Sequence, residues 1–158
     1  MRIAVISGPN LNLLGQREKS VYGDLSYQQL LDTLKAFATP LNQELFFYQS
    51  NHEGALLDFI QSCLGQYDAI IINAGAYTHT SIALYDALKA VNLPAIEVHL
   101  SDTENREPFR KISYLRQACI AVYQGEGIVS YQKALTRLKE EFDHDNSTAT
   151  SADPRGTN

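Results

Sequence analysis

The run from Asp68 to Ser81, D-A-I-I-I-N-A-G-A-Y-T-H-T-S, constrains the fold more than any other part of the chain. Ala69 to Ile72 is apolar without polar alternation, the pattern of a strand buried on both faces of a parallel sheet. It stops at Asn73, passes Gly75 and meets Thr80 and Ser81, residue types that cap helices. A polar cluster therefore lies just past the carboxyl end of a central strand and faces the start of a helix. In open α/β sheets ligands bind in that crevice, so the spacing predicts the chemistry here.

The rest of the chain repeats the same unit. Arg2 to Ser7 reads as a buried first strand, ending in G-P-N-L-N-L-L-G, a loop that carries Asn10 and Asn12. Gln16 to Gly23 is polar, glycine-flanked and without helical or strand period, which suits a mobile lid. Ser26, with Gln29 three residues on, makes a capping box; Leu30, Leu31, Leu34, Phe37 and Ala38 then share a helical face up to Pro40. Glu44 to Gln49 is a second strand, followed by a helix through Leu56, Leu57, Ile60 and Leu64 that stops at Gly65. A helix from about Ser81 to Val91 follows the central strand. Ala95 to Val98 is the fourth strand and ends in His99, Ser101 and Asp102; Asp102 to Tyr114 is irregular and charged. Cys119 to Tyr123 is a fifth strand, and Ser130 caps a last helix with Tyr131, Ala134, Leu135, Leu138 and Phe142 on its face.

Five strand–helix units predict an α/β, flavodoxin-like three-layer sandwich with a five-stranded parallel sheet of order 2-1-3-4-5. Residues 1–142 are expected to form a single domain. The Asp-, Asn-, Ser- and Thr-rich stretch 143–158 is expected to be a disordered tail.

Composition narrows the function. A chain of 158 residues, 44% of them hydrophobic, fits one full-sized core. A net charge of -5 with no basic face argues against a nucleic-acid partner. No apolar run reaches the 18 residues expected of a membrane helix. Cys63 and Cys119 lie in apolar patterns rather than at metal or disulfide spacings, as thiols in a reducing cytoplasm do. Phosphate-loop and dinucleotide glycine spacings are missing, and His52-Glu53 has no second histidine four residues on. No lysine ends a buried strand to form a Schiff base. Acid–base chemistry without cofactor or metal remains, on a small anionic, hydroxylated molecule.

Four groups of residues suit that chemistry. His79, Thr80 and Ser81 put an imidazole and two hydroxyls at a helix N-terminus, where a carboxylate is favoured, although the hydroxyls can equally serve only as caps. His99 ends an apolar strand beside Ser101 and shares a face with Glu97, which can fix its tautomer; it reads equally as a proton donor or as a satisfied core histidine. Arg17 and Tyr22 lie five apart in the lid. A phenol is a poor base at neutrality, and a neighbouring guanidinium favours its phenolate by charge attraction; by spacing alone the pair reads rather as a surface arginine and a packing tyrosine. Arg106 and Arg110 suit a carboxylate clamp or stabilisation of developing charge or, more commonly, a solvated face.

At these residues the chain resembles the type II 3-dehydroquinate dehydratases. Gly8 to Gly15 with Arg17-Glu18 and Tyr22-Gly23, the block Gln49 to Gly54, the N-A-G-A-Y-T-H-T-S block, Ile96 to Ser101, and Arg106 to Arg110 follow that family's motifs in order. The resemblance spans about Arg2 to Phe142. It implies a lyase that removes water from 3-dehydroquinate to give 3-dehydroshikimate through an enolate, without Schiff base or metal. It further implies a cytoplasmic homo-oligomer, a dodecamer built of trimers, in the shikimate route or in quinate breakdown. Carried over, Tyr22 would take the proton α to the ketone, with Arg17 favouring its phenolate. Asn10, with a water, would stabilise the enolate, and His99 would protonate the departing hydroxyl. Asn73, His79, Leu100, Ser101 and Arg110 would hold the substrate's hydroxyls and carboxylate, and Asp86 would reach a neighbouring subunit's site. Asp102, Glu104-Asn105, Ile112 and Ser130 depart from the family's commonest residues; none of these departures removes a catalytic group.

Two other readings fit less well. A flavin-phosphate module would need hydroxyls in the loop after the first strand, which is poor in them. A catalytically dead scaffold would require loss of Tyr22, Arg17 or His99, and all three are present.

Overall fold

A computed structural model describes residues 1–150. Five parallel strands, β1 (Arg2–Ser7), β2 (Glu44–Gln49), β3 (Ala69–Asn73), β4 (Ala95–His99) and β5 (Ala121–Gln124), form one sheet of order β2-β1-β3-β4-β5, the predicted order. All five residues of β3 and of β4 are buried, Glu97 and His99 of β4 among them. One face carries Ile3, Val5, Ile71, Ile96 and Val98 against α2 (Tyr27–Ala38) and α5 (Ile128–Thr150). The other carries Ala4, Ile6, Ile70 and Ile72 against α3 (Glu53–Ser62) and α4 (Ile82–Val91). Each fully buried isoleucine of this kind contributes roughly 1.5–3 kcal/mol relative to exposure, so alternation within each strand fixes which helix packs where.

Register places the chemistry. Ser7 pairs with both Gln49 and Asn73, so β2, β1 and β3 end level. Gly8 N–H donates to the Asn73 carbonyl at 2.8 Å. A Cβ at Gly8 would lie 2.2 Å from the Ala74 carbonyl oxygen, so only glycine lets the two strand ends approach this closely. That approach sets the loop carrying Asn10 beside Asn73.

Several boundaries differ from expectation. The lid is not wholly irregular: Glu18 takes a left-handed conformation (φ 35°) and starts a single helical turn, α1 (Lys19–Tyr22). β5 begins two residues late because Cys119 N–H is engaged by the Arg116 carbonyl of the preceding turn. Ser130 does not cap α5. The helix has already begun at Ile128, after left-handed Gly127 donates to the Leu100 carbonyl, and Ser130 Oγ instead accepts from Glu126 N–H at 3.2 Å.

The helix also continues past Phe142 to Thr150, where a disordered tail is expected from Asp143 onward. Its exposed end is carried by local pairs rather than packing. Lys139 bonds Asp143 four residues on, and the Ser147 hydroxyl donates to the His144 carbonyl. The remainder of that expected tail, 151–158, lies outside the described residues. Among the described residues no helix is long and apolar enough to cross a membrane.

Candidate active site

At the carboxyl ends of β1, β3 and β4 lies a cleft of about 120 Å³. Asn10 enters from the loop after β1, Arg17 and Tyr22 from the lid, and Asn73 and His79 from β3 and the turn beyond it. His99, Leu100 and Ser101 come from the end of β4, and Arg106 and Arg110 from the loop that follows. Every predicted site residue is therefore brought together except Asp86, which stands exposed on α4. Among the described residues, three arginines and no carboxylate line the cleft, although the whole chain carries a net charge of -5. Such a pocket focuses a positive potential on a small anion.

His99 is held from below. Its Nε2 lies 2.6 Å from Glu97 Oε1, and Ser113 Oγ–H donates to Glu97 Oε2 at 2.8 Å. Because a carboxylate only accepts, Nε2 carries the proton in this pair. Glu97 is completely buried. Burial pushes its carboxyl up, but the hydrogen bonds from His99 and Ser113, with charge attraction to His99 and Arg116, outweigh that and hold it below the usual range.

Tyr22 faces this pair across the cleft, and its immediate partner is Arg106, which the sequence offered only as half of a carboxylate clamp or a solvated face. Arg106 Nη1 donates to the Tyr22 hydroxyl oxygen at 2.9 Å and lies 3.4 Å from Ser101 Oγ. Arg17 instead lies over the phenol ring, 5.1 Å from its centroid, while its guanidinium hydrogen-bonds Glu18 at 2.6 Å. Both guanidiniums lie against the phenol, Arg106 by a direct hydrogen bond and Arg17 over the ring. The family resemblance, not the five-residue spacing, pointed to Arg17. The R-E-P-F-R block held Arg106, but without helical period it could not show that both of its arginines turn inward.

His79 lies parallel to His99 at 6.4 Å between ring centroids, and its Nδ1 approaches the Ile112 carbonyl at 2.5 Å. A carbonyl cannot donate, so Nδ1 carries the proton. Asn73, nearly fully buried, accepts the Gly75 N–H at 3.2 Å. Asn10 takes a left-handed conformation (φ 69°), its N–H held by Asn51 Oδ1 at 3.0 Å. Of the two readings open for Ser81, the capping one holds: it is buried and accepts the Leu84 N–H at 3.0 Å. Asn12 is turned toward Gln49, 3.3 Å away, and does not line the cleft. Cys63 and Cys119 are free thiols, pushed up to about 11 and about 12 by burial.

The same groups give the fold a pH dependence. Burial holds His79 below its ordinary 6.5, against the opposing pull of the Ile112 carbonyl, and Glu97 lies below its ordinary 4.5. Each binds protons less readily folded than unfolded, so each contributes stability that is present above its ordinary value and lost on acidification. The urea midpoint is expected to be flat above about pH 6.5, to fall below it as His79 is forced to charge, and to fall again below about 4.5 as Glu97 protonates. A midpoint unchanged between pH 7.5 and 4 would contradict these environments.

Known proteins share the arrangement. The family model for dehydroquinase class II matches residues 1–139. A 3-dehydroquinate dehydratase from Caldicellulosiruptor saccharolyticus is 53% identical over 140 residues, 88% of this chain and 97% of the relative. One from Campylobacter lari is 46% identical over 147 residues, 93% of this chain and 92% of the relative. The crystal structure of a type II dehydroquinase from Butyrivibrio crossotus superposes with a TM-score of 0.86 at 45% identity, covering 87% of this chain and 97% of that one. Since the matched residues span β1 to α5 and include the whole cleft, this chain belongs to the class II dehydroquinase family.

Proposed function

We propose that the protein is a type II 3-dehydroquinate dehydratase in which Tyr22 and His99 act as separate base and acid. The observation that carries this reading is that a phenol oxygen held by a guanidinium and an imidazole held by a buried carboxylate line one cleft. Removal of a proton next to a ketone is feasible only where the resulting enolate is stabilised, and elimination needs a second group to protonate the leaving hydroxyl.

Tyr22, as phenolate, takes the proton α to the ketone; Arg106 in contact and Arg17 over the ring compensate its charge. Asn10, through a water, supports the enolate oxygen. His99 donates its Nε2 proton to Glu97, which leaves Nδ1 to deliver a proton to the C1 hydroxyl. That oxygen departs as water, and the electron pair released from the enolate forms the carbon–carbon double bond conjugated with the regenerated ketone. Arg110 and His79 hold the substrate carboxylate and hydroxyls with Asn73 and the Leu100–Ser101 segment. The one-turn lid closes over the cleft and excludes water while the enolate exists. No lysine lines the cleft, so no amine is placed to form a Schiff base. In the cytoplasmic dodecamer that completes this reading, Asp86 of one subunit reaches the site of the next.

Ultraviolet absorbance of the enone should grow when purified protein meets 3-dehydroquinate. Neither a chelator nor borohydride added with substrate should slow it. No absorbance change would refute the activity; loss of activity to borohydride would refute the Schiff-base-free route.

A further inference from the structure

A second carboxylate reaches toward the acid side of the site through one arginine. Arg116 Nη2 lies 4.0 Å from Glu97 Oε1, the same oxygen that takes the His99 N–H, and Arg116 Nη1 lies 3.9 Å from Glu104 Oε1. The Arg116 backbone N–H donates to Ser113 Oγ at 3.2 Å, so that hydroxyl directs its own hydrogen to Glu97. The buried Arg116 Nε has no hydrogen-bond partner among the described residues. Glu104 lies in the Thr103–Asn105 turn, immediately before the arginine that contacts Tyr22.

We propose that Arg116 is a positioning residue that divides its charge between Glu97 and Glu104, and so sets how firmly Glu97 holds the His99 imidazolium. This rests on the reading of His99 as proton donor. A buried carboxylate beside an imidazole favours the imidazolium. A guanidinium on the same oxygen offsets that carboxylate and repels the imidazolium, so His99 releases its proton more readily. Glu104, about half exposed, draws Arg116 the other way. The other titratable or charged groups near the pair are His79, parallel to His99; Arg110, which acts on His79; Tyr22, Arg106 and Arg17, which share the cleft with His99; and Cys119, whose thiol stays neutral because burial and the Glu97 charge push it up to about 12.

The test compares the pH dependence of kcat for the wild type, Arg116→Gln, Arg116→Lys and Glu104→Gln. The rate falls on the alkaline side as His99 loses its proton. In Arg116→Gln that limb should move up by roughly half a unit to one unit; Arg116→Lys should restore it. Glu104→Gln, a surface change the fold tolerates, should move it down by a smaller amount. If both the glutamine variants superimpose on the wild type, the division of charge is wrong, even where Tm or KM changes. Should Arg116→Gln fail to fold, the His99 titration midpoint by NMR in the wild type and Glu104→Gln decides: a lower midpoint in the variant supports the proposal, an equal one overturns it. An inactive wild type would refute the parent reading instead, and the same NMR comparison would still decide this one.

Discussion

Tyr22→Phe is expected to lower kcat by about 10³-fold or more while leaving the melting temperature and substrate binding nearly unchanged. The change deletes one oxygen from a half-buried ring, so packing against the core survives. It also leaves Arg106 and Arg17 free to pair with substrate. Uniform loss of binding and rate would mean that Tyr22 only shapes the cleft. Turnover within tenfold of wild type, measured by the enone absorbance, would remove it from the role of base.

His99→Asn is expected to act on two levels. Loss of the proton donor should lower kcat by about 10²- to 10⁴-fold. Glu97, fully buried, would also lose its closest donor, and a buried carboxylate left short of a hydrogen bond costs about 1–3 kcal/mol. Chemical denaturation at pH 7.5 reads the second effect, and single-turnover rates at saturating substrate read the first. A variant that is destabilised yet turns over normally would leave His99 a structural residue. One that is slow yet equally stable would show that Glu97 finds another donor.

Much of this was legible before any coordinates. Ala69 to Ile72 is apolar, and Ala95 to Val98 is apolar but for Glu97, because both sheet faces are covered; each run ends in polar residues because the helices leave the carboxyl ends open. Five strand–helix units predicted the sheet order, and the polar strand ends predicted that Asn10, Asn73, His79 and His99 meet in one cleft. The Ser26–Gln29 capping box formed as read, with Gln29 N–H donating to Ser26 Oγ at 3.1 Å and Ser26 N–H to Gln29 Oε1 at 2.9 Å.

The irregular segments were less legible, because no period constrains them. Arg106 reaches Tyr22 from a loop of two short 3-10 turns, where a four-residue spacing no longer defines a face. Ser81 was ambiguous because capping and anion binding ask for the same hydroxyl at the same position. Asp86 is exposed on α4, and its proposed task needs a neighbouring subunit.

Division of labour between phenol and imidazole is the centre of the account, and deuterium exchange tests it most directly. In heavy water, proton NMR should show His99→Asn washing the α-hydrogen out of 3-dehydroquinate while elimination stalls, since Tyr22 still forms the enolate. Tyr22→Phe should do neither. Exchange that persists in Tyr22→Phe and disappears in His99→Asn would contradict the assignment and reverse the two roles.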